Sequence, residues 1–537
     1  MKKTTPLILL LICCSIVLPS SPLTAQWTAV RMDRPGSQPE EVSIAINPVD
    51  PDNLIAGANL RFYFYSFDGG ETWTQRQLPS GTWGDPSVLF DKTGRAYIAN
   101  LVYGWDAIVV RHSDDGGMTW SAPVKLFGPS SDSAKAGSLF NSSLQDKEWL
   151  ATDMTDGPYS GNIYAGWTDF TLYGSNNPAD SSVIVFARST DRGETFEPFV
   201  RVSDKGGNAV DSDETVEGAV PAVGPDGGIY MAWSGPGGLF FDRSFDGGVT
   251  WGEDRMIADQ PGGWDIEISG INRSNGLPIT AADISQSPHR GTIYVNWVDS
   301  RHGDPDVFIA RSTDRGDTWS APIRVNDDEV GNGRDQFFTW LAVDPLTGEL
   351  SVVFHDRRHY DSDSTDVYLA RSTDGGMTFR NERISAVSFY PTPFVFFGDY
   401  NGIAAYGGRI RPIWTQLDQG ELSIHTALID PGTSHSANAP ALPESVTLEQ
   451  YPHPVSTVTG GDVTFRISSA EPGALTLRIH DLVGREVAVV AEKELLSGTH
   501  NIRWSAGALD AGVYLCTATL RSGGKLGSAT SVMTIVK

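Results

Sequence analysis

Six copies of one short form, S-x-D-x-G-x-T followed by Trp or Phe, recur through this chain, at Ser66–Trp73, Ser113–Trp120, Ser189–Phe196, Ser244–Trp251, Ser312–Trp319 and Ser372–Phe379. Each follows an apolar run that reads as a strand. The residue types explain the form. Asp accepts backbone N–H groups across a tight turn. Gly takes a positive φ that a side chain would oppose. The closing aromatic leaves the turn and packs into the sheet beneath. The form is therefore a hairpin tip with a structural role, and its repetition dictates an array of similar β units.

The unit is clearest around the fifth box. Ile279–Asp283, Thr292–Trp297, Val307–Arg311 and Ala321–Val325 read as four strands divided by turn residues. Four-stranded antiparallel units repeated in this way are propeller blades. Counting first strands gives seven units, beginning near Glu41, Asp85, Glu148, Glu217, Ile279, Gln336 and Asp399, with six blades as the alternative. The last unit lacks a box and a fourth strand. Trp27–Met32 resembles Trp319–Arg324 and supplies that strand from the other end of the chain, closing the ring and removing an exposed edge. The fold class is all-β, an Asp-box β-propeller over residues 27–430 followed by a small β-sandwich. The boxes resemble the Asp box, or bacterial neuraminidase repeat, of sialidases and related propellers.

The two ends carry addresses. Met1-Lys2-Lys3, the apolar run Leu7–Leu18 and the small residues around Ala25 read as a secretory signal over residues 1–25. Cys13 and Cys14 raise a lipoprotein reading, but bulky residues precede both. If they leave with the signal, Cys516 remains without an internal disulfide partner. Beyond the signal, no segment is apolar and long enough to serve as a transmembrane anchor. The net charge of -26 argues against a nucleic-acid partner, which needs Lys and Arg.

Residues 431–448 are rich in Pro, Ser and Ala and read as a linker. Residues 449–537 follow, with Tyr451-Pro452-His453-Pro454, Leu477–Val487, Gly498, Trp504 and Ala511–Tyr514 in order. This set resembles the type A C-terminal sorting domain of the type IX secretion system. The resemblance implies that secretion machinery as a partner, passage through the periplasm, and a final place outside the cell or on the outer-membrane surface. A plain carbohydrate-binding or adhesive sandwich is the alternative.

Strand direction sorts the loops. The boxes share one face with short Asp-Gly and Asp-Pro turns. The opposite face receives long irregular loops at 127–147, 170–182, 203–216, 259–278 and 388–397. Long loops on a rigid scaffold are where ligands bind. Asp85, Glu148, Glu217 and Asp399-Tyr400 begin inner strands on that face, beside Glu41. Asp299, Asp356, Arg61, Arg301, Arg357 and Arg358 end second strands or follow them at the blade corners. Repeated Asp and Arg at blade corners also serve as buried ion pairs that tie the fold together, and both roles stay open.

A mixed ring of carboxylates and arginines supports glycoside hydrolysis, which needs one carboxyl as acid and another as base or nucleophile. Asp85, Glu148, Glu217, Asp299, Asp356 and Asp399 are the carboxyl candidates and Tyr400 a candidate nucleophile. Arg61, Arg301, Arg357 and Arg358 are the candidates for holding an anionic sugar. The sialidase resemblance implies a Tyr activated by Glu, an Asp acid–base and three carboxylate-binding Arg. This chain lacks the Phe-Arg-Ile-Pro hallmark. Its first inner strand reads Glu40-Glu41-Val42-Ser43, with an acid at or beside the place of the first Arg. A carboxylate there repels sialate, so little release of sialic acid is expected. The partner expected is an extracellular glycan or surface polysaccharide, hydrolysed or only bound; a protein ligand for a purely binding propeller also stays open. No Cys/His metal cluster or cofactor motif stands out, and Asp361–Asp366 is a weak calcium candidate better read as an exposed acidic loop.

Overall fold

The computed structural model describes residues 27–126, 144–418, 420–430 and most of 447–536. The signal, most of the linker and most of the 127–147 loop lie outside the described residues. The chain divides into two compact units, Met1–Thr433 and Ser434–Lys537.

Seven four-stranded antiparallel sheets make up the first unit. Their inner strands are Val42–Ile46, Thr82–Phe90, Leu144–Thr152, Glu217–Val223, Ile279–Ala282, Gln336–Val343 and Gly402–Tyr406, and we number blades 1 to 7 in this order. Each inner strand packs on the next, and Gly402–Tyr406 packs on both its predecessor and Val42–Ile46, so the ring is closed. Seven blades replace the alternative of six. The fourth strand of blade 7 is Thr28–Arg31, paired antiparallel with Glu421–Leu428. Around it, Trp27 and Met32 are buried, and the Trp27 indole N–H donates to Glu382 of blade 6 at 3.2 Å. Arg409 of blade 7 reaches Asp52 of blade 1 at 2.7 Å across the closure.

The blades are held together by the apolar faces of their second and third strands. Trp167, Trp233, Trp297 and Trp414 are fully buried at corresponding places on second strands. The boxes take part in this packing. In the box of blade 5, the Ser312 hydroxyl donates to Asp314 at 2.7 Å and accepts the Gly316 N–H at 2.7 Å. Asp314 also accepts the Thr318 N–H at 2.9 Å. Gly316 has a φ of +88°, and a Cβ there would stand 2.3 Å from the Phe241 ring of blade 4. Gly248 meets Phe186 of blade 3 at the same 2.3 Å. The glycine thus serves both the turn and the contact with the preceding blade. Arg188 and Arg311, each just before a box, donate to Gly247 and Gly375 in the next blade's box, both at 3.1 Å.

The second unit has a three-stranded sheet (Thr447–Tyr451, Asp462–Ser469, Gly498–Ser505) and a five-stranded one (Val455–Ser456, Gly473–His480, Glu486–Leu495, Gly512–Ser522, Lys525–Val536). Alternate residues fill its core, among them Phe465, Ile467, Leu475, Leu477, Ile479 and Leu520. Period-two burial of this kind is what one covered sheet face requires. Cys516 is free and buried in this core, and burial pushes its thiol up to about 12.

Candidate functional site

Inner strands reach the axis through a shared irregularity. Their ladders break between Gly84 and Ser87, Asp146 and Trp149, Glu217 and Val220, and Phe337 and Trp340. Within these breaks Asp85, Lys147, Gly218 and Phe338 take φ values of 51°, 54°, 81° and 51°, and Glu41 takes 50° just before its strand. A bulge of this kind re-aims side chains next to a site. It also moves the strand starts, because blades 2 and 3 begin at Thr82 and Leu144, ahead of the Asp85 and Glu148 expected from the sequence. In blade 3 the left-handed position is held by Lys147, one residue before Glu148.

The outcome is one buried ionisable group on the axis. Lys147 Nζ lies 2.8 Å from Asp399 Oδ2 and 4.7 Å from the centre of the Tyr400 ring. Arg273 comes from the long loop between blades 4 and 5. It lies 2.9 Å from the same Asp399 oxygen, 3.4 Å from Asp211 and 3.3 Å from the Tyr173 hydroxyl. Asn275 of that loop donates to the Asp399 carbonyl at 3.0 Å. Glu41 accepts from Asn59, whose Oδ1 accepts the Asp85 N–H at 2.8 Å. The rings of Trp149 and Trp340 lie 4.2 Å apart, with Tyr400 5.7 and 5.8 Å from them. A cavity of about 40 Å³ is lined by Lys147, Glu148, Trp149, Asn275, Trp340, Asp399 and Tyr400 among others. It has room for a few waters and not for a sugar ring.

Charge in this group is sharply divided. Glu148 and Glu217 are 1% and 0% exposed, and neither oxygen of either carboxyl has a hydrogen-bond partner among the described residues. Burial raises the Glu148 carboxyl well above the usual range, with Asp85 adding to the effect. Burial and then Asp211 do the same to Glu217. Glu41 and Asp146 are raised by burial and by Asp85. Asp399 goes the other way. Burial opposes its ionisation, but Lys147 and Arg273 outweigh it and hold the carboxyl below its ordinary value. Burial, then Asp85 and Glu41, raise the Tyr400 phenol well above its ordinary value.

The structure therefore gathers Glu41, Asp85, Glu148, Glu217, Asp399 and Tyr400 of the expected residues. It adds Asp146, Lys147, Asp211, Tyr173 and Arg273, which sequence reasoning missed. Lys147 was legible only through the bulge register. Arg273 has no counterpart in the repeat, since it sits on a loop that one blade connection alone carries.

The other expected residues stand apart, in contacts of their own. Asp299 accepts from the Trp297 indole at 2.7 Å and from Arg301 Nε at 2.9 Å, a lock within one corner. Asp356 and Arg358 form the same lock at 2.8 Å. Arg357 lies 3.6 Å from both Asp335 and Asp363. Arg61 reaches the Leu78 carbonyl of its own blade at 3.5 Å. An open cleft of about 620 Å³ is lined by Arg358 with Asp328, Glu329, Asn332, Arg334 and His359. In the acidic loop, Asp361 pairs with Arg334, Asp363 faces Arg357 and Asp366 pairs with Arg383. Among the described residues no group of three or more His, Cys, Asp or Glu side chains is placed to hold a metal ion.

The family model described as BNR/Asp-box repeat matches residues 64–75, the third strand and box of blade 1. Several solved structures are similar to this chain over most of its length. A structure of YCF48 bound to a D1 peptide is 15% identical over 77% of this chain and 99% of its own, with a TM-score of 0.39. A crystal structure of the NanB sialidase from Streptococcus pneumoniae is 11% identical over 71% and 84%, with a TM-score of 0.41. An ulvan lyase of polysaccharide lyase family PL25, bound to -[GlcA(1-4)Rha3S]-, is 9% identical over 85% and 97%, also at 0.41. At these identities and scores the likeness carries nothing about chemistry.

The divided charges make a testable statement about stability. For Glu41, Asp146, Glu148 and Glu217 the folded chain binds protons more tightly than the unfolded chain. Their cost is absent below the unfolded values, about 3.9 for Asp and 4.3 for Glu, and grows as the pH rises past them. The box carboxyls have the opposite sign. Hydrogen bonds from Thr318 and Ser312 lower Asp314 to about 2. Asp246 and Asp374 are also lowered to about 2; slight burial opposes this, but Thr250 and Thr378 prevail. Their contribution is present above about 3.9 and lost as the pH falls toward 2. The melting temperature is thus expected to peak on the acid side of neutrality, with Glu148→Gln flattening the decline toward alkaline pH. A melting series from pH 3 to 9 checks this, and a maximum above pH 8 would contradict it.

Proposed function

We propose that this chain is an extracellular glycan-acting propeller whose site is the axial group. One observation carries the reading. Glu148 lines the cavity with a buried carboxyl that has no partner among the described residues, and Asp399 lines the same cavity as a carboxylate held ionised by Lys147 and Arg273. Two carboxyls whose surroundings push their proton affinities apart are the arrangement that acid–base chemistry needs. In this reading Glu148 protonates the leaving oxygen. Asp399 acts as the anionic partner, and Tyr400 lies beside it. The cavity as it stands is too small for a sugar ring, so in this reading the residues that line it, Asn275 among them, must give way to admit one. The test is a glycan array on the purified full chain, followed by hydrolysis assays on each hit. Binding with release of sugar supports the reading, and no binding to any glycan contradicts it.

A second reading, a propeller that binds without hydrolysing, is favoured by the double bridging of Asp399 by Lys147 and Arg273, which occupies one oxygen of the intended base. Binding without turnover in the same assays would select it. Sialic acid is not the expected product in either case, because the resemblance puts an acidic residue, Glu41, at or beside the place of the first sialate-binding Arg.

The ends of the chain suit this role. We take residues 1–25 as a secretory signal and residues 449–537 as a type IX sorting domain. A chain ending at Asp430 is then expected to fold as a complete propeller yet stay in the periplasm of a type IX host. Cell fractionation checks this, and normal surface delivery of the shortened chain would refute the sorting role.

A further inference from the structure

We infer that the axial group is a receptor for a positively charged sugar, an amino sugar, and that Arg273 occupies its place in the unliganded chain. The inference rests on the glycan-acting reading and adds the class of glycan.

Carboxyl groups dominate the axis. Around Asp399 stand Glu41, Asp85, Asp146, Glu148, Asp211 and Glu217, against the cations Lys147 and Arg273. Glu148 and Glu217 are buried with no partner on any oxygen among the described residues, and Glu148 lines the cavity. Buried carboxyls without partners are costly, and a cation between them would remove that cost. The aromatic faces agree. Trp149, Trp340 and Tyr400 line the same cavity, and the Lys147 ammonium already stands 4.7 Å over the Tyr400 ring. Ammonium groups are attracted to such faces, most strongly when desolvated. An anionic sugar finds no spare cation there among the described residues, because Lys147 and Arg273 are both already bridged to Asp399.

Arg273 has the properties of an internal substitute. Its side chain is 33% exposed, while the Asp399 it bridges is 3% exposed, so it links the buried acid to the protein surface. It arrives on a loop outside the blade repeat, and its ion pairs are with Asp399 and Asp211. A ligand ammonium that pairs with those acids replaces the guanidinium charge for charge, whereas a neutral sugar would leave Asp211 without its cation.

The test titrates the full chain with four probes, following tryptophan fluorescence: the glucosamine tetramer, its neutral N-acetylated counterpart, a galacturonate tetramer and methylguanidinium. The glucosamine tetramer is expected to bind at least tenfold more tightly than the neutral one, and the galacturonate tetramer not at all. Arg273→Ala removes the internal competitor and is expected to tighten the glucosamine tetramer about tenfold, while Arg273→Lys retains wild-type affinity. Should the alanine variant misfold, Arg273→Gln carries the same expectation. Galacturonate binding as tight as glucosamine, equal binding of the neutral tetramer, or a folded Arg273→Ala without tightening overturns the inference while leaving a glycan site in place. Binding of methylguanidinium with no sugar bound would keep the cation preference and remove the glycan reading. Failure of all four probes overturns both.

Discussion

Glu148→Gln is expected to lower turnover of any glycan the chain hydrolyses by about 10²–10⁴-fold, the usual contribution of a positioned general acid. The substitution is informative because the carboxyl has no hydrogen-bond partner to lose among the described residues. An amide of the same shape fills the same space, so the melting temperature near pH 5 is expected to change little. Asp399→Asn is expected to abolish turnover as well, but it also breaks the contacts with Lys147 and Arg273 at 2.8 and 2.9 Å. Removing one partner of a buried ion pair typically costs about 3–5 kcal/mol. The two variants therefore separate chemistry from structure: Glu148→Gln loses rate without stability, and Asp399→Asn loses both. Steady-state kinetics and thermal melts on the purified chains decide the matter. Turnover within threefold of wild type in a folded Glu148→Gln would remove Glu148 from the reaction.

Deleting residues 27–33 is expected to be the most destabilising change outside the axis. The deletion exposes the Glu421–Leu428 edge along the whole of its pairing with Thr28–Arg31. It also removes the buried Trp27, Met32 and Asp33, the last of which accepts the Ile424 N–H at 2.9 Å. Trp27→Ala alone is expected to cost about 3–5 kcal/mol, as for other large aromatic truncations in cores. The full deletion should exceed this, because a ring left open at one blade loses its protected edge. Chemical denaturation of both variants checks the expectation. An unchanged midpoint for the deletion would show that the ring holds without its N-terminal strand.

Much of this architecture was legible in the residues because a repeat multiplies a weak local signal. One Ser312–Trp319 box is only a turn. Six boxes at blade spacing, with Trp27–Met32 echoing Trp319–Arg324, demand a ring closed by its own N-terminus. The gathering of Glu41, Asp85, Glu148, Glu217, Asp399 and Tyr400 was legible for the same reason, since equivalent positions in equivalent blades converge on the axis. The corner residues were harder. Asp299 and Arg301 look alike in sequence whether they hold a ligand or each other, and only the folded corner shows the 2.9 Å contact between them.

The sequence by itself determined the all-β class, the box turns and the face that carries the long loops, because these follow from local backbone chemistry repeated at a fixed period. It did not determine the membership of the axial group. The left-handed bulge that puts Lys147 one residue ahead of Glu148 is a matter of register against the neighbouring strand. Arg273 reaches Asp399 across 126 positions of chain, a separation no local pattern encodes. Tertiary structure alone decided that burial and neighbouring carboxylates raise some of these carboxyls while the Lys147 and Arg273 charges lower another, and that division is what gives the axis a chemistry.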